Sequence, residues 1–563
     1  MGRSSEIRNE ETSDDVPFSH LGLREFGPIF LTMLSDSLRR EIGQHFVVGF
    51  HGQEVNDDIR RLIQTYFVGS VILMKRNVKD AEQIKRMVSE LQTIAKEAGH
   101  ERPLLIGTDQ ENGMVSAMSS STAATQFPGA MALAATGSPE MTRDVYAASG
   151  KELRLLGVNW AYSPVVDVNS DMKNPVIGVR SFGNDAEEVA KYVVAATQGI
   201  MSSNVAPTAK HFPGHGDTHV DSHLALPRIN KSREEMELTE LIPFRRVIEE
   251  KCATIMTGHM ALPLVTGGDI PCSLSRQITT GWLREDLGFE GVVVTDCLEM
   301  DAIAEPNQGG CGVEEGAVRA LEAGADIVMI CHTMARQVGT IERVYDAVQA
   351  GRISVDHLKG SGDRVKVLKD RFTDWSLPAD DWNTVKAESK KLSEEAYQKS
   401  TAILQNGTWL KATGTVVCYT PRPESLNKAI DDADGVLRDG AGRVRNTAGP
   451  SFAALAQSIS KRTKCVHVVY PSDDPIDWND VSGIVFVLRN ADRSRWQLEW
   501  MKKVAERGIN MVLVSCCTPY DLNGVDVEQG CLATFEFTVP AFDAAARVIF
   551  GEARAEGHSP VIT

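Results

Sequence analysis

Gly291-Val292-Val293-Val294-Thr295-Asp296 sets four β-branched residues between a glycine and a carboxylate. A short apolar run without polar alternation reads as a strand buried on both faces, the mark of a parallel sheet. Seven more runs share that character: Phe46–Phe50, Val71–Met74, Leu104–Thr108, Val158–Tyr162, Val205–Ala209, Ala253–Thr257 and Asp326–Ile330. Helix-like segments such as Asp80–Gly99, Ala186–Ser202 and Arg233–Lys251 lie between them. Eight alternations of strand and helix predict an α/β fold whose N-terminal part is a TIM (β/α)8 barrel. A doubly wound open sheet has the same local grammar, and the runs alone do not exclude it.

After Asp374 the pattern changes. Trp382–Leu404 reads as a polar, Lys/Glu-rich helix bridging two units, and strand-like runs return at Thr415–Tyr419, Val466–Tyr470, Ile484–Leu488 and Met511–Ser515. They predict a smaller C-terminal α/β sandwich domain. Trp496, Trp500 and Val504 repeat at helical spacing, which predicts a core-facing stripe rather than a sugar platform. The expected division is a polar extension over 1–27, a barrel catalytic domain over 28–375, a helical linker over 376–404 and the second domain over 405–563.

Bulk properties narrow the function. With 563 residues the chain is too long for one core. A net charge of −17 and the lack of a long basic run argue against a nucleic-acid partner. No apolar stretch is long enough to span a membrane. Met1–Asp15 is polar and acidic, without the apolar core of a secretory signal. The ten cysteines form no CxxC pair, as expected of reduced thiols in the cytoplasm. Neither a metal nor an organic cofactor is expected.

In a TIM barrel the active site is built at the C-terminal ends of the strands. Polar residues gather there: Asp109-Gln110-Glu111-Asn112-Gly113 after the third run, Asp167 and Asn169 with Asn174–Gly183 after the fourth, and Lys210-His211 after the fifth. His259 follows the sixth and Asp296 the seventh. One aspartate after a strand is usually a helix cap; five strand ends in agreement point to chemistry. Between Lys210 and His223 four histidines recur at every fourth residue. A helix would stack them as metal ligands, but Pro213, Gly214 and Gly216 break a helix, so the segment is a loop and shared zinc binding is disfavoured.

Taken together, these residues resemble glycoside hydrolase family 3, in its β-N-acetylglucosaminidase branch. The matching pieces are Asp109-Gln110-Glu111, Asn174–Gly183, the Lys210–His223 loop with Leu226-Pro227 behind it, and Gly291–Ile303; the likeness continues through Val512–Leu522 and Phe542–Glu552. The resemblance implies Asp296 as a nucleophile that forms a covalent glycosyl-enzyme, and His223 paired with Asp221 as a general acid/base on a mobile loop. It implies that Asp109, Arg180, Lys210 and His211 hold the sugar in the first subsite, with His259 near it. Other branches usually take an acid/base carboxylate from the second domain; the histidine loop implies that this one does not.

The implied activity is that of a retaining exo-β-N-acetylglucosaminidase releasing GlcNAc from chitin-type or peptidoglycan-derived oligosaccharides. An imidazole titrates near ~6.5 and serves as an acid at neutral pH after a modest shift. Once neutral, it also repels an anionic acceptor less than a carboxylate would, so a phosphorylase stays open, as does a β-glucosidase-like hydrolase. One departure stands out. Where the family pattern has Glu-Gly-Gly and then an arginine, this chain has Glu111-Asn112-Gly113 and Met114-Val115-Ser116-Ala117-Met118. That change motivates a further alternative, a catalytically silent glycan-binding or regulatory protein.

Overall fold

The computed structural model describes residues 34–561 except 121, 220, 223–224, 412, 423, 425–448 and 473–475. The polar extension expected over 1–27 therefore lies outside the described residues.

Eight strands are formed: β1 (Phe46–Val48), β2 (Ser70–Ile72), β3 (Leu105–Thr108), β4 (Trp160–Ala161), β5 (Ala206–Phe212), β6 (Thr254–Thr257), β7 (Val292–Cys297) and β8 (Ile327–Ile330). They pair in parallel in chain order, and β8 returns to β1 with Val328 opposite Phe46, so the sheet closes into a barrel. Closure rules out the doubly wound alternative for this part of the chain. Alternation explains why these runs carry no polar face. Val47, Ile72, Leu105, Trp160, Val292, Val294 and Ile327 belong to one apolar cluster. Their neighbours Phe46, Val48, Val71, Ile106, Ala161, Val293 and Val328 join a larger one with the surrounding helices.

The segment read as one helix over Arg233–Lys251 is two, Arg233–Glu237 and Leu241–Glu249. The first has a Ser232/Glu235 capping box, and Pro243 falls within the first turn of the second, where a missing N–H costs nothing.

The second sheet contains β9 (Ala402–Gln405), β10 (Thr415–Pro421), β11 (Lys464–Tyr470), β12 (Val481–Leu488), β13 (Met511–Ser515) and β14 (Gly530–Ala533). Its order is β11-β10-β12-β13-β14-β9, parallel except for the antiparallel edge strand β9. Helices Pro450–Ser460 and Val539–Ile549 pack on one face through Phe452, Leu455, Phe542 and Ile549. Trp496–Ala505 packs on the other through Leu498, Met501 and Val504. The stripe is thus only partly aromatic: Trp496 and Trp500 are half-buried at its margin, where Trp496 donates to Glu424.

The linker differs from its expectation at its end. The helix stops at Ser400, and Leu404 already lies in β9. One face of the bridge, with Ser389, Ser393, Ala396 and Tyr397, is buried. Small side chains on that face let the helix lie against both Pro139–Leu155 and Val539–Ile549.

Candidate active site

A cavity of about 570 Å³ opens at the C-terminal ends of the barrel strands. All of its lining residues, among those described, come from the barrel part of the chain. Beyond β3 the chain forms a small antiparallel hairpin, Gln110–Asn112 against Val115–Ser116. Asn112 and Gly113 turn it with φ of 67° and 59°, a region asparagine and glycine tolerate best. Asn112 is therefore accommodated at the turn, and its Oδ1 accepts from Ser149 at 3.0 Å. The far arm presents Met114, Val115, Ser116 and Ala117 to the cavity, a mainly apolar wall.

Glu111 anchors a buried charge cluster. Arg180 grips it with two bonds, Nε to Oε2 at 2.8 Å and Nη2 to Oε1 at 2.7 Å. Lys210 Nζ lies 2.7 Å from Glu111 Oε1 and 2.7 Å from Asp109 Oδ1. Burial alone would raise the Glu111 carboxyl, but the two cations outweigh it and hold it at about 2. The same pairing raises Lys210 and Arg180 against their own burial, so Glu111, Lys210 and Arg180 are all charged at neutral pH. Asp109, only partly buried, keeps one face toward the cavity.

Asp167 is the second organiser. Its carboxylate binds His211 Nδ1 at 2.7 Å and accepts from the backbone N–H of His211 at 3.1 Å and of His215 at 2.7 Å. One carboxylate from the segment after β4 thus folds the start of the histidine loop back over the barrel, and His211 Nε2 is left 3.4 Å from Arg180. His215 is buried between Thr218 Oγ1 at 2.9 Å and Ser222 Oγ at 3.0 Å. Burial, and then the nearby His211, lower it to about 4, so it is neutral near pH 7. His219 pairs with Asp171 at 2.8 Å on the surface. These three imidazoles hydrogen-bond to separate partners, although the His211 and His215 rings meet edge to face with centroids 5.9 Å apart. Asp221 is buried beside Ser222, which lines the cavity; His223 lies outside the described residues.

Asp296 lines the same cavity as Asp109, Arg180, Lys210 and His211, and its Oδ1 accepts from the Cys297 N–H at 2.7 Å. His259, expected near the sugar, is fully buried and does not line the cavity. Its Nε2 stands 3.0 Å from the Cys297 carbonyl, which can only accept, so Nε2 carries the proton and Nδ1 accepts from Ser273 at 2.8 Å. It is tied to the site through the backbone carbonyl of Cys297, next to Asp296.

Glu111 and Asp167 were absent from the expected site set, although the strand-end pattern contained both. A third group was not foreseen at all. Cys297, Cys331 and His332 bring three ligand atoms within 4.8 Å of one another on the cavity wall. Contact with Cys297, and then burial, push Cys331 up, while the same contact lowers Cys297.

The second sheet supports the site from behind. Asn169 donates to Tyr520 at 3.2 Å, Arg493 to the Asn174 carbonyl at 3.3 Å, and Glu536 meets the start of helix Ala130–Ala135.

Residues 37–368 match the family described as Glycosyl hydrolase family 3 N terminal domain. Beta-hexosaminidase A of Pseudoalteromonas piscicida is 28% identical over 549 residues, 90% of each chain. The solved structure of a glycoside hydrolase family 3 beta-N-acetylglucosaminidase from Paenibacillus sp. str. FPU-7 is 34% identical, covers 94% of this chain and 99% of its own, and superposes with a TM-score of 0.83. A fungal multi-domain GH3 beta-N-acetylglucosaminidase with a GCN5-related glucosamine N-acetyltransferase region is also 34% identical with a TM-score of 0.83; the chain spans 60% of that protein's length and is covered over 93% of its own.

Proposed function

This chain belongs to glycoside hydrolase family 3, and on that premise we propose that it is a retaining exo-β-N-acetylglucosaminidase acting on β-linked GlcNAc oligosaccharides of chitin or peptidoglycan origin. The observation that carries the reading is a single cavity in which a strand-end carboxylate, Asp296, shares the wall with the ion-paired Asp109–Lys210–Glu111–Arg180 cluster. Its volume of about 570 Å³ suits a sugar ring with part of an aglycone.

In the proposed reaction Asp296 attacks the anomeric carbon as the glycosidic bond breaks, and the leaving oxygen takes a proton from His223, held by Asp221. His223, now neutral, takes a proton from water. The water oxygen bonds to the anomeric carbon, the ester to Asp296 breaks, and GlcNAc departs. Asp109, Lys210 and Arg180 supply fixed charges and hydrogen bonds to the sugar hydroxyls, with His211 held in line by Asp167. Ten free cysteines suit a reducing compartment, and we place the enzyme in the cytoplasm.

The test pairs an aryl β-GlcNAc with an aryl β-glucoside, with and without phosphate, beside Asp296→Ala. GlcNAc release that falls by roughly three orders of magnitude in the variant is expected. Preference for the glucoside, or GlcNAc-1-phosphate as the main product, would move the enzyme to another activity of the family. No turnover of either substrate would sink the reading.

A further inference from the structure

We propose that Cys297, Cys331 and His332 form a binding site for a soft divalent cation, zinc foremost, and that its occupancy blocks the cavity. Cys297 ends β7 and pairs with Met329 of β8, so the chain just beyond β8 brings Cys331 and His332 alongside it. The three ligand atoms lie within 4.8 Å of one another. Zinc–sulfur bonds of ~2.3 Å in a tetrahedron put neighbouring donors roughly 3.8 Å apart, so small side-chain rotations close the set around an ion.

The donor set selects the metal. Two thiolates and an imidazole favour zinc and similar soft ions over magnesium or calcium, which want oxygen. The surroundings agree, since Met300 and Met329 share an apolar cluster with both cysteines and Met74 packs against it. Charge also balances. Both sulfurs bind as thiolates: two Zn–S bonds form, and each sulfur that still carries a proton breaks its S–H bond and releases that proton to solvent. The resulting neutral centre tolerates Arg76, whose guanidinium lies 3.1 Å from His332 Nδ1 and binds the Cys331 carbonyl at 2.7 Å. His332 is exposed, so its ring turns from Arg76 to the ion without disturbing the core.

Three protein ligands leave a fourth position open. All three residues line the substrate cavity, and Cys297 is the next residue after Asp296. An ion here therefore occupies sugar space beside the carboxylate, and zinc acts as a reversible inhibitor.

Cobalt(II) is the probe for the site itself, because tetrahedral thiolate coordination gives intense visible absorption. Titrating the full chain with Co²⁺ is expected to produce those bands at one equivalent and lose them on adding Zn²⁺; Cys331→Ser and the surface change His332→Ala are expected to abolish or weaken them. In parallel, Zn²⁺ is expected to inhibit turnover of the aryl β-GlcNAc, with the half-inhibiting concentration raised roughly tenfold or more in both variants. Absence of the bands from the wild type, or equal bands and equal zinc sensitivity in all three proteins, overturns the site. Only the inhibition arm rests on the proposed glycosidase activity. A protein that shows the cobalt bands and turns over no glycoside would sink that activity and support the site.

Discussion

The Glu536 carboxylate, carried by the second domain, accepts a hydrogen bond at 2.8 Å from the backbone N–H of Gly129 in the barrel part of the chain. Tyr397 and Thr538 donate to the same carboxylate at 2.7 and 2.6 Å. Gly113, in the turn of the hairpin that carries Glu111, packs so closely on Gly129 that a Cβ there would lie 2.6 Å from its Cα and 3.0 Å from Glu536 Oε2. Glu536 therefore sets the height of the hairpin. Glu536→Ala leaves three buried donors unmet and is expected to cost about 3 kcal/mol. It should also raise KM for the aryl β-GlcNAc, since Glu111 loses its backing. A variant of lowered Tm but unchanged KM would reduce Glu536 to a stabiliser only.

Arg180→Lys keeps the charge but not the fork. With one bond to Glu111 in place of two, KM is expected to rise by roughly tenfold, and steady-state kinetics read it directly. Lys210→Met should be worse. It leaves part of a buried carboxylate charge unmatched, a loss of about 3 kcal/mol or more in chemical denaturation.

His259→Ala separates positioning from contact. The Cys297 carbonyl loses its donor, so the backbone holding Asp296 relaxes. We expect kcat to fall by about tenfold while KM changes little, which corresponds to about 1.4 kcal/mol. A rise in KM with kcat intact would mean that His259 touches the sugar after all.

Stability should fall on the acid side in two stages. His215 titrates near 6.5 unfolded and about 4 folded. Below 6.5 the unfolded chain takes up the proton and the folded one does not. The contribution of this group is therefore whole above pH 6.5 and fades as pH drops through 4, by about 3 kcal/mol in all. Glu111, at about 2 folded against 4.5 unfolded, contributes above pH 4.5 and fails only as pH approaches 2. His215→Gln removes the first stage while keeping hydrogen-bonding atoms. Its Tm should vary less than that of the wild type between pH 6.5 and 4, and an identical slope would assign the loss elsewhere.

Barrel strands announced themselves because burial on both faces leaves no polar residue to interrupt runs such as Val292–Thr295. β9 stayed hidden: it is four residues at a sheet edge, directly after a helix whose polar composition carried the eye past Ser400 to Leu404. The loop character of Lys210–His223 was readable from Pro213 and its glycines. What holds the loop was not, because Asp167 lies 44 residues before His211 and only the barrel brings them together. The same holds for Cys297 and Cys331. No short spacing links them, and their meeting depends on β7 and β8 being neighbours.

The three contacts reaching the barrel from Tyr520, Arg493 and Glu536 bear on how this chain can be shortened. A barrel cut out on its own would retain every described cavity-lining residue, yet the Gly129 N–H, the Asn169 amide and the Asn174 carbonyl would each lose a partner. Such a fragment would look complete in an alignment while its cavity-lining hairpin drifted. The unit to clone, transplant or evolve is the pair of domains.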